Sequence, residues 1–372
     1  MTPRVVHVDT ERTWGGGQRQ LWWLARGLAR RGRPSWVAAR PRTRLAAELA
    51  AAGIPLVPLA PAWEWDPRAA RTLRTALQEV GADVVHAHAA HAVALAGLAR
   101  VGLDVTLVAS RRVALRLRRN PLSRWKYARV DRFIAVSQRV RRALRDSGID
   151  GGRIVVVPSG VDVGVPTPPA SAGTLRGLGV DPQRPLMVMV SSLVPPHKDP
   201  QTFVAAVAAA RASGCDVQAL LVGDGPLAAG ARRLARRLGL DGAIRFAGHR
   251  DDAEALLASA DVAVLSSRDE GLGTTLLDAM LAGVPIVATA AGGVMELVRD
   301  GVEALLVPIG DGAALGQAVA QVLGNAALRA GLADAGRRRV RQFSVEATVE
   351  GTLAVYATLP RRVQLGGRRA TP

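Results

Sequence analysis

The chain has 372 residues, 49 % of them hydrophobic, which is longer than one core usually supports and favours two domains. Its formal net charge of +18 rests on arginine, with Lys126 and Lys198 the only lysines, so attraction to anionic surfaces is expected. Base-stacking aromatics interleaved with the basic residues are missing and no helix-turn-helix, finger or RRM signature occurs, so no nucleic acid partner is expected. No apolar run approaches membrane-spanning length, no signal-peptide pattern is present, and the single Cys215 rules out an internal disulfide, which together predict a cytoplasmic protein.

In chain order, short β-rich runs alternate with longer Ala/Leu/Arg helical segments. Strands are expected at residues 4–9, 35–39, 54–59, 83–88, 105–110, 132–137 and 153–158. Several are continuously apolar, as parallel strands covered on both faces should be. A helix at 18–31 puts Leu21, Leu24, Ala25, Leu28 and Ala29 on one stripe and stops at Gly32. Pro166, Pro168 and Pro169, followed by 170–173, read as an extended linker with no helix or strand of its own. Alternation restarts with strands at 186–193, 217–222, 244–248, 262–266, 285–289 and 304–308. The pattern predicts an α/β protein of two Rossmann-like, doubly wound domains, residues 1–165 and 166–342. A helix at 344–359 and a basic tail at 361–372 complete the chain, the helix expected to pack back on the first domain.

Each polar motif follows a strand, where ligands sit in such sheets. In the segment 267–278, Glu270 precedes Gly271-Leu272-Gly273-Thr274, a helix begins, and Asp278 follows eight residues after Glu270. Backbone N–H groups at a helix N-terminus suit a phosphate. The two acids are at most roughly 12 Å apart along the axis, about the reach between the two sugars of a nucleotide sugar. The competing reading is an ordinary helix whose dipole favours acids near its start. Gly15-Gly16-Gly17 is either a flexible turn or a close approach to a ligand; it lacks the dinucleotide spacing, which disfavours a nicotinamide enzyme. His86, His88 and His91 cluster, but no Cys or acidic ligand accompanies them, so no metal site is expected. Lys198 follows the first strand of the second half, where a compact ammonium suits a diphosphate. Nine basic residues against one acid between Ser110 and Arg132 form either a solvated face or a docking patch for an anionic acceptor or membrane, with Trp125 and Tyr127 around Lys126 as interfacial anchors.

Trp14-Gly-Gly-Gly-Gln18, Asp83-Val-Val-His-Ala-His88, Ile134-Ala-Val-Ser137, Val157-Pro-Ser-Gly-Val-Asp162, His197-Lys-Asp199, Val222-Gly-Asp-Gly-Pro226, Phe246-Ala-Gly-His249, Glu270 to Asp278 and Ala291-Gly-Gly-Val-Met-Glu296 occur in this order. Together they resemble the GT-B-fold retaining glycosyltransferases of family 4, "glycosyl transferases group 1". The resemblance implies a nucleoside-diphosphate sugar as donor substrate, no cofactor, no metal, and a glycan or lipid-linked acceptor in cell-envelope synthesis. A place at the inner face of the membrane is expected.

It also implies roles. His88, Glu270 and Lys198 would be catalytic, with His88 and Glu270 at the transferred sugar and Lys198 at the diphosphate. Gly16, Gly17, Ser192, His249, Arg250, Gly271, Leu272, Gly273, Thr274, Asp278 and Gly293 would bind the donor, His249 and Arg250 near the base and Asp278 at the ribose. Arg111 and Arg112 would meet the acceptor. Two positions depart from the family pattern: Ser192 replaces an arginine, for which Arg268 or Arg250 would compensate, and Asp278 replaces a glutamate. A GT-B-fold epimerase or hydrolase, or a non-catalytic anionic-surface binder, would share parts of this sequence.

Overall fold

A computed structural model describes residues 3–118, 120–165 and 167–360. The expected basic tail lies outside the described residues. Among the described residues, thirteen strands form two parallel sheets. The first contains β1 (Val5–Val8), β2 (Ser35–Ala39), β3 (Leu56–Pro58), β4 (Val84–Ala87), β5 (Thr106–Arg111), β6 (Arg132–Ala135) and β7 (Ile154–Val156), in the order β3-β2-β1-β4-β5-β6-β7. The second contains β8 (Leu186–Val190), β9 (Gln218–Val222), β10 (Ile244–Gly248), β11 (Val262–Leu265), β12 (Ile286–Thr289) and β13 (Ala304–Val307), in the order β10-β9-β8-β11-β12-β13. Strands β1, β4, β11 and β12 are buried at every position, because helices cover both faces.

Strand order reverses between β1 and β4 in the first sheet and between β8 and β11 in the second. A parallel sheet opens a crevice outside the carboxyl ends of its strands at such a reversal. The loops that follow β1, β4, β8 and β11 therefore flank the two crevices.

The helix Gly16–Arg30 buries Leu21, Leu24, Ala25 and Leu28, but Ala29 of the expected stripe is exposed. Its place is taken by Gly27, where an added Cβ would lie 2.5 Å from Val349. Val349 belongs to the helix Val345–Ala357, which returns to the first sheet and packs Val355 and Tyr356 against Val5, Val84, Val108 and Ile134. The expected structure-free stretch at 170–173 is shorter than its composition suggested. Ser171 accepts a hydrogen bond from the Thr174 N–H and starts a helix at Ala172–Gly177. No helix among the described residues is long and apolar enough to cross a membrane.

Candidate functional site

A cavity of about 490 Å³ lies between the two switch points. The first sheet contributes Gly16 and Gly17 after β1 and Arg112 after β5; the second contributes Ser192 and Lys198 after β8 and Glu270, Gly271, Leu272, Gly273 and Thr274 after β11. Two helix N-termini meet there. An added Cβ on Gly16 would lie 3.4 Å from the Thr274 hydroxyl, so the helices Gly16–Arg30 and Thr274–Ala282 point their positive ends at one place. Neither N-terminus has a side-chain cap. Their first N–H groups remain for a ligand, and an anion is the chemical match.

Local backbone explains how the loop after β11 reaches this point. Gly273 adopts φ 87°, a left-handed conformation that begins the helix without a strained side chain. Gly271 presses on the opposite domain: an added Cβ would lie 1.9 Å from the carbonyl oxygen of Arg112. The Ser137 hydroxyl donates to the Gly271 carbonyl at 2.5 Å, also across the cleft.

Lys198 and Glu270 form an ion pair, and the Ser267 hydroxyl donates to the same carboxylate oxygen at 2.6 Å. Backbone bonds from Arg268 to His197 and a bridge between Lys198 and Ser267 hold the two loops in register. Ion pairing with Lys198 is therefore built into the second domain. Arg268 pairs with Asp199 at 2.8 Å and Arg250 with Asp252 at 2.7 Å, so both cations expected to compensate for Ser192 are already matched to acids.

His88 lies beneath the cavity rather than on its lining. An Arg112 guanidinium N–H donates to its Nδ1 at 3.1 Å, and its Nε2 meets His7 Nδ1 at 3.0 Å. With Nδ1 accepting, His88 carries its proton on Nε2 and donates it to His7. The His7 proton then sits on Nε2, which is buried without a partner. Burial, reinforced by the Arg112 charge, lowers the His7 pKa to about 3 and puts His88 well below its usual range. His86 bonds Tyr356 and Ser110 at 2.6 and 2.8 Å and is neutral for the same reason, burial first. Among the described residues, the cluster with metal-ligand geometry is thus His7, His86 and His88, since His91 is exposed. An Arg112 guanidinium bonded to it opposes a cation there.

Asp278 does not line the cavity either. Arg19, three residues past Gly16, crosses the cleft and bonds Asp278 at 2.6 Å and Glu254 at 2.5 Å. Burial raises the Asp278 pKa, with Arg19 opposing it. His249 is 61 % exposed by side chain, and with Arg250 stands away from the cavity. Gly293 is packed under the carbonyl of Gly271 and supports the loop from below. Arg111 lies behind the lining and donates to the Leu115 carbonyl.

The expected aromatic anchors differ. Lys126 is buried against Glu64 at 2.6 Å, Tyr127 is in the core, and Trp125 packs edge-on to Trp65 with Arg129 stacked over it. A helix face had to bury these residues against the first domain, which leaves Leu122, Arg124 and Arg129 outside. Sequence reasoning did not single out Arg19, or Asp269 with its partner Arg139. Glu296, whose carboxylate accepts from the N–H groups of Gln138 and Arg139 across the cleft, was read only as the end of a glycine motif. The signal at Arg19 was its place in the first turn of the helix after the glycine loop.

Two facing doubly wound domains with a phosphate-ready crevice between their switch points define a GT-B-type protein. The family described as Glycosyl transferases group 1 matches residues 184–325, and Glycosyltransferase Family 4 matches residues 14–165. The chain belongs to this glycosyltransferase family. Among curated relatives, it is 39 % identical over 141 residues to the lipopolysaccharide core biosynthesis glycosyltransferase LpsE of Rhizobium meliloti, 38 % of this chain and 42 % of that protein. It is 34 % identical over 247 residues to the D-inositol 3-phosphate glycosyltransferase of Salinispora arenicola, 62 % of this chain and 55 % of that protein. The chain thus spans about half the length of the curated relatives it matches. The crystal structure of Anabaena Alr3699/HepE with UDP and glucose superposes with a TM-score of 0.82 at 22 % identity, covering 96 % of this chain and 100 % of that one.

Proposed function

We propose that the chain transfers a sugar from a nucleoside-diphosphate sugar to a hydroxyl acceptor with retention of anomeric configuration, in cell-envelope glycan or glycolipid synthesis. The observation that carries this reading is the convergence of two uncapped helix N-termini and the Lys198–Glu270 pair on one cavity. Such donors are preorganised for a diphosphate whose charge grows as the anomeric bond breaks. The relatives' names and the neighbour solved with UDP and glucose support the same class.

In the proposed step the bond from the anomeric carbon to the leaving phosphate oxygen breaks and its electron pair stays on that oxygen. The acceptor hydroxyl forms the new bond on the same face, and its proton passes to the leaving diphosphate. Lys198 and the N–H groups of Gly16, Gly17 and Gly271 to Thr274 would stabilise that charge, a task that otherwise falls to a divalent ion. Glu270, fixed by Ser267, would orient the sugar hydroxyls. No cofactor enters the step. Exposed Leu122, Arg124 and Arg129 would rest on an anionic membrane surface and present a lipid-linked acceptor.

The test is a thermal-shift panel of UDP-, GDP- and ADP-sugars followed by transfer assays of Glu270→Ala and Lys198→Ala. Stabilisation by one donor class, with transfer lost in Glu270→Ala and donor binding weakened in Lys198→Ala, supports the reading; normal transfer by both variants ends it. Turnover of the donor with no acceptor added would favour an epimerase or hydrolase instead.

A further inference from the structure

The charges that line the cavity do not balance. Of the acids, Glu270 is paired with Lys198 and Asp269 with Arg139. Of the cations, Lys198 is thereby neutralised, while Arg112 has no ion pair among the described residues. Its guanidinium is held instead by neutral groups, the His88 carbonyl at 3.2 Å and His88 Nδ1 at 3.1 Å, and its Nε is buried without a partner. The buried Asp9 offsets this charge only from beyond ion-pair distance and is itself bonded by Gln18, and a half-buried cation so placed is costly unless an anion arrives. Burial lowers its pKa to about 10, so it stays charged at neutral pH. Its backbone abuts Gly271, which fixes it against the loop that would cradle the donor.

We propose that Arg112, at the end of β5, contacts the donor diphosphate, so that the leaving charge is shared between one arginine of the first domain and one lysine of the second. This rests on the nucleotide-sugar reading and reassigns a residue first expected at the acceptor. His88 is then a positioning residue: its Nδ1 and carbonyl aim the guanidinium, and His7 fixes its tautomer. The arrangement makes the second cation available only when the cleft is shut.

The experiment compares binding of UDP, GDP and ADP, and of the matching nucleosides, to the full chain and to the variants Arg112→Gln, Arg112→Lys and Arg112→Gln/Ser192→Arg. The nucleoside diphosphate that binds the wild type should bind Arg112→Gln at least tenfold more weakly, while nucleoside affinity stays the same. Arg112→Lys should keep most of the difference between diphosphate and nucleoside. Ser192 lines the same cavity, so an arginine there should restore several-fold of the lost affinity. Unchanged diphosphate affinity in Arg112→Gln, with a raised KM for acceptor, would overturn the proposal in favour of an acceptor contact. If Arg112→Gln does not fold, Arg112→Met takes its place, and an unchanged preference for diphosphate over nucleoside in that folded variant overturns the proposal. A wild type that binds none of the three diphosphates removes the donor reading itself, and the proposal with it.

Discussion

Replacing Gly271 by alanine tests whether the two domains meet as closely as the site requires. The new Cβ would lie 1.9 Å from the Arg112 carbonyl oxygen and 2.8 Å from its carbonyl carbon, and both are backbone atoms with no rotamer to escape into. To reach an ordinary contact of about 3.4 Å, the domains must separate locally by roughly 1.5 Å. Gly271 has no positive φ, so the added methyl strains neither the loop nor the second domain. The cost therefore falls on closure. Overpacking of this kind costs about 1–3 kcal/mol, which shifts the ratio of closed to open cleft by roughly 5- to 150-fold. Small-angle scattering of wild type and Gly271→Ala, alone and with saturating donor, reads the closure. A thermal melt should move little, while kcat/KM falls by a factor within that range. If the variant stays as compact as wild type and transfers sugar at the same rate, the interdomain contact is not what positions the site.

Arg19→Ala leaves Asp278 buried without its cation and should cost on the order of 3 kcal/mol. Burial already raises the Asp278 pKa while Arg19 lowers it, so the variant's value climbs further. A carboxyl whose folded pKa exceeds its unfolded one loses stability as pH rises between the two; the melting gap between Arg19→Ala and wild type should therefore be larger at pH 7.5 than at pH 5, and an equal gap would refute the pairing. The buried imidazoles of His7, His86 and His88 act in the opposite sense. Their folded pKa values lie below the unfolded value, so their stability is complete above about pH 6.5 and drains away as pH falls, by up to about 4 kcal/mol per unit for three protons. Urea midpoints at pH 7.5, 6 and 5 measure the slope, and a flat profile would mean that these histidines take up protons in the fold as readily as in the unfolded chain. Gly293→Ala, unlike Gly271→Ala, would place its Cβ 2.2 Å from the Gly271 carbonyl within one domain, so it should lower the melting temperature as well as activity.

The strands were legible because most are short apolar runs set between turn residues and helical segments: β2 and β10 fall on the expected residues, and the others begin and end within three of them. Glu270, Lys198 and the loop from Gly271 to Thr274 were legible because each stands directly after a strand or at a helix start. What stayed hidden was pairing between the halves. Nothing within eight residues of Asp278 reveals that Arg19 holds it, since the two are 259 positions apart. Likewise the partner of Lys126 is Glu64, from another helix connection, and local spacing read the lysine as exposed.

That hidden layer decides how the site works. Ser137 to Gly271, Glu296 to the N–H groups of Gln138 and Arg139, Arg139 to Asp269, and Arg19 to Asp278 and Glu254 all join the two sheets. A single exposed ion pair contributes little, but this set includes charge-assisted bonds to backbone N–H groups and a nearly buried arginine. The loop at Gly271 is thus clamped from the first domain, and the same contact holds Arg112 on the wall of the cavity. A chain built from the second domain alone would keep Lys198 and Glu270 as a neutral pair. It would then offer a diphosphate only one set of helix N–H groups, so the chemistry belongs to the closed pair of domains rather than to either motif.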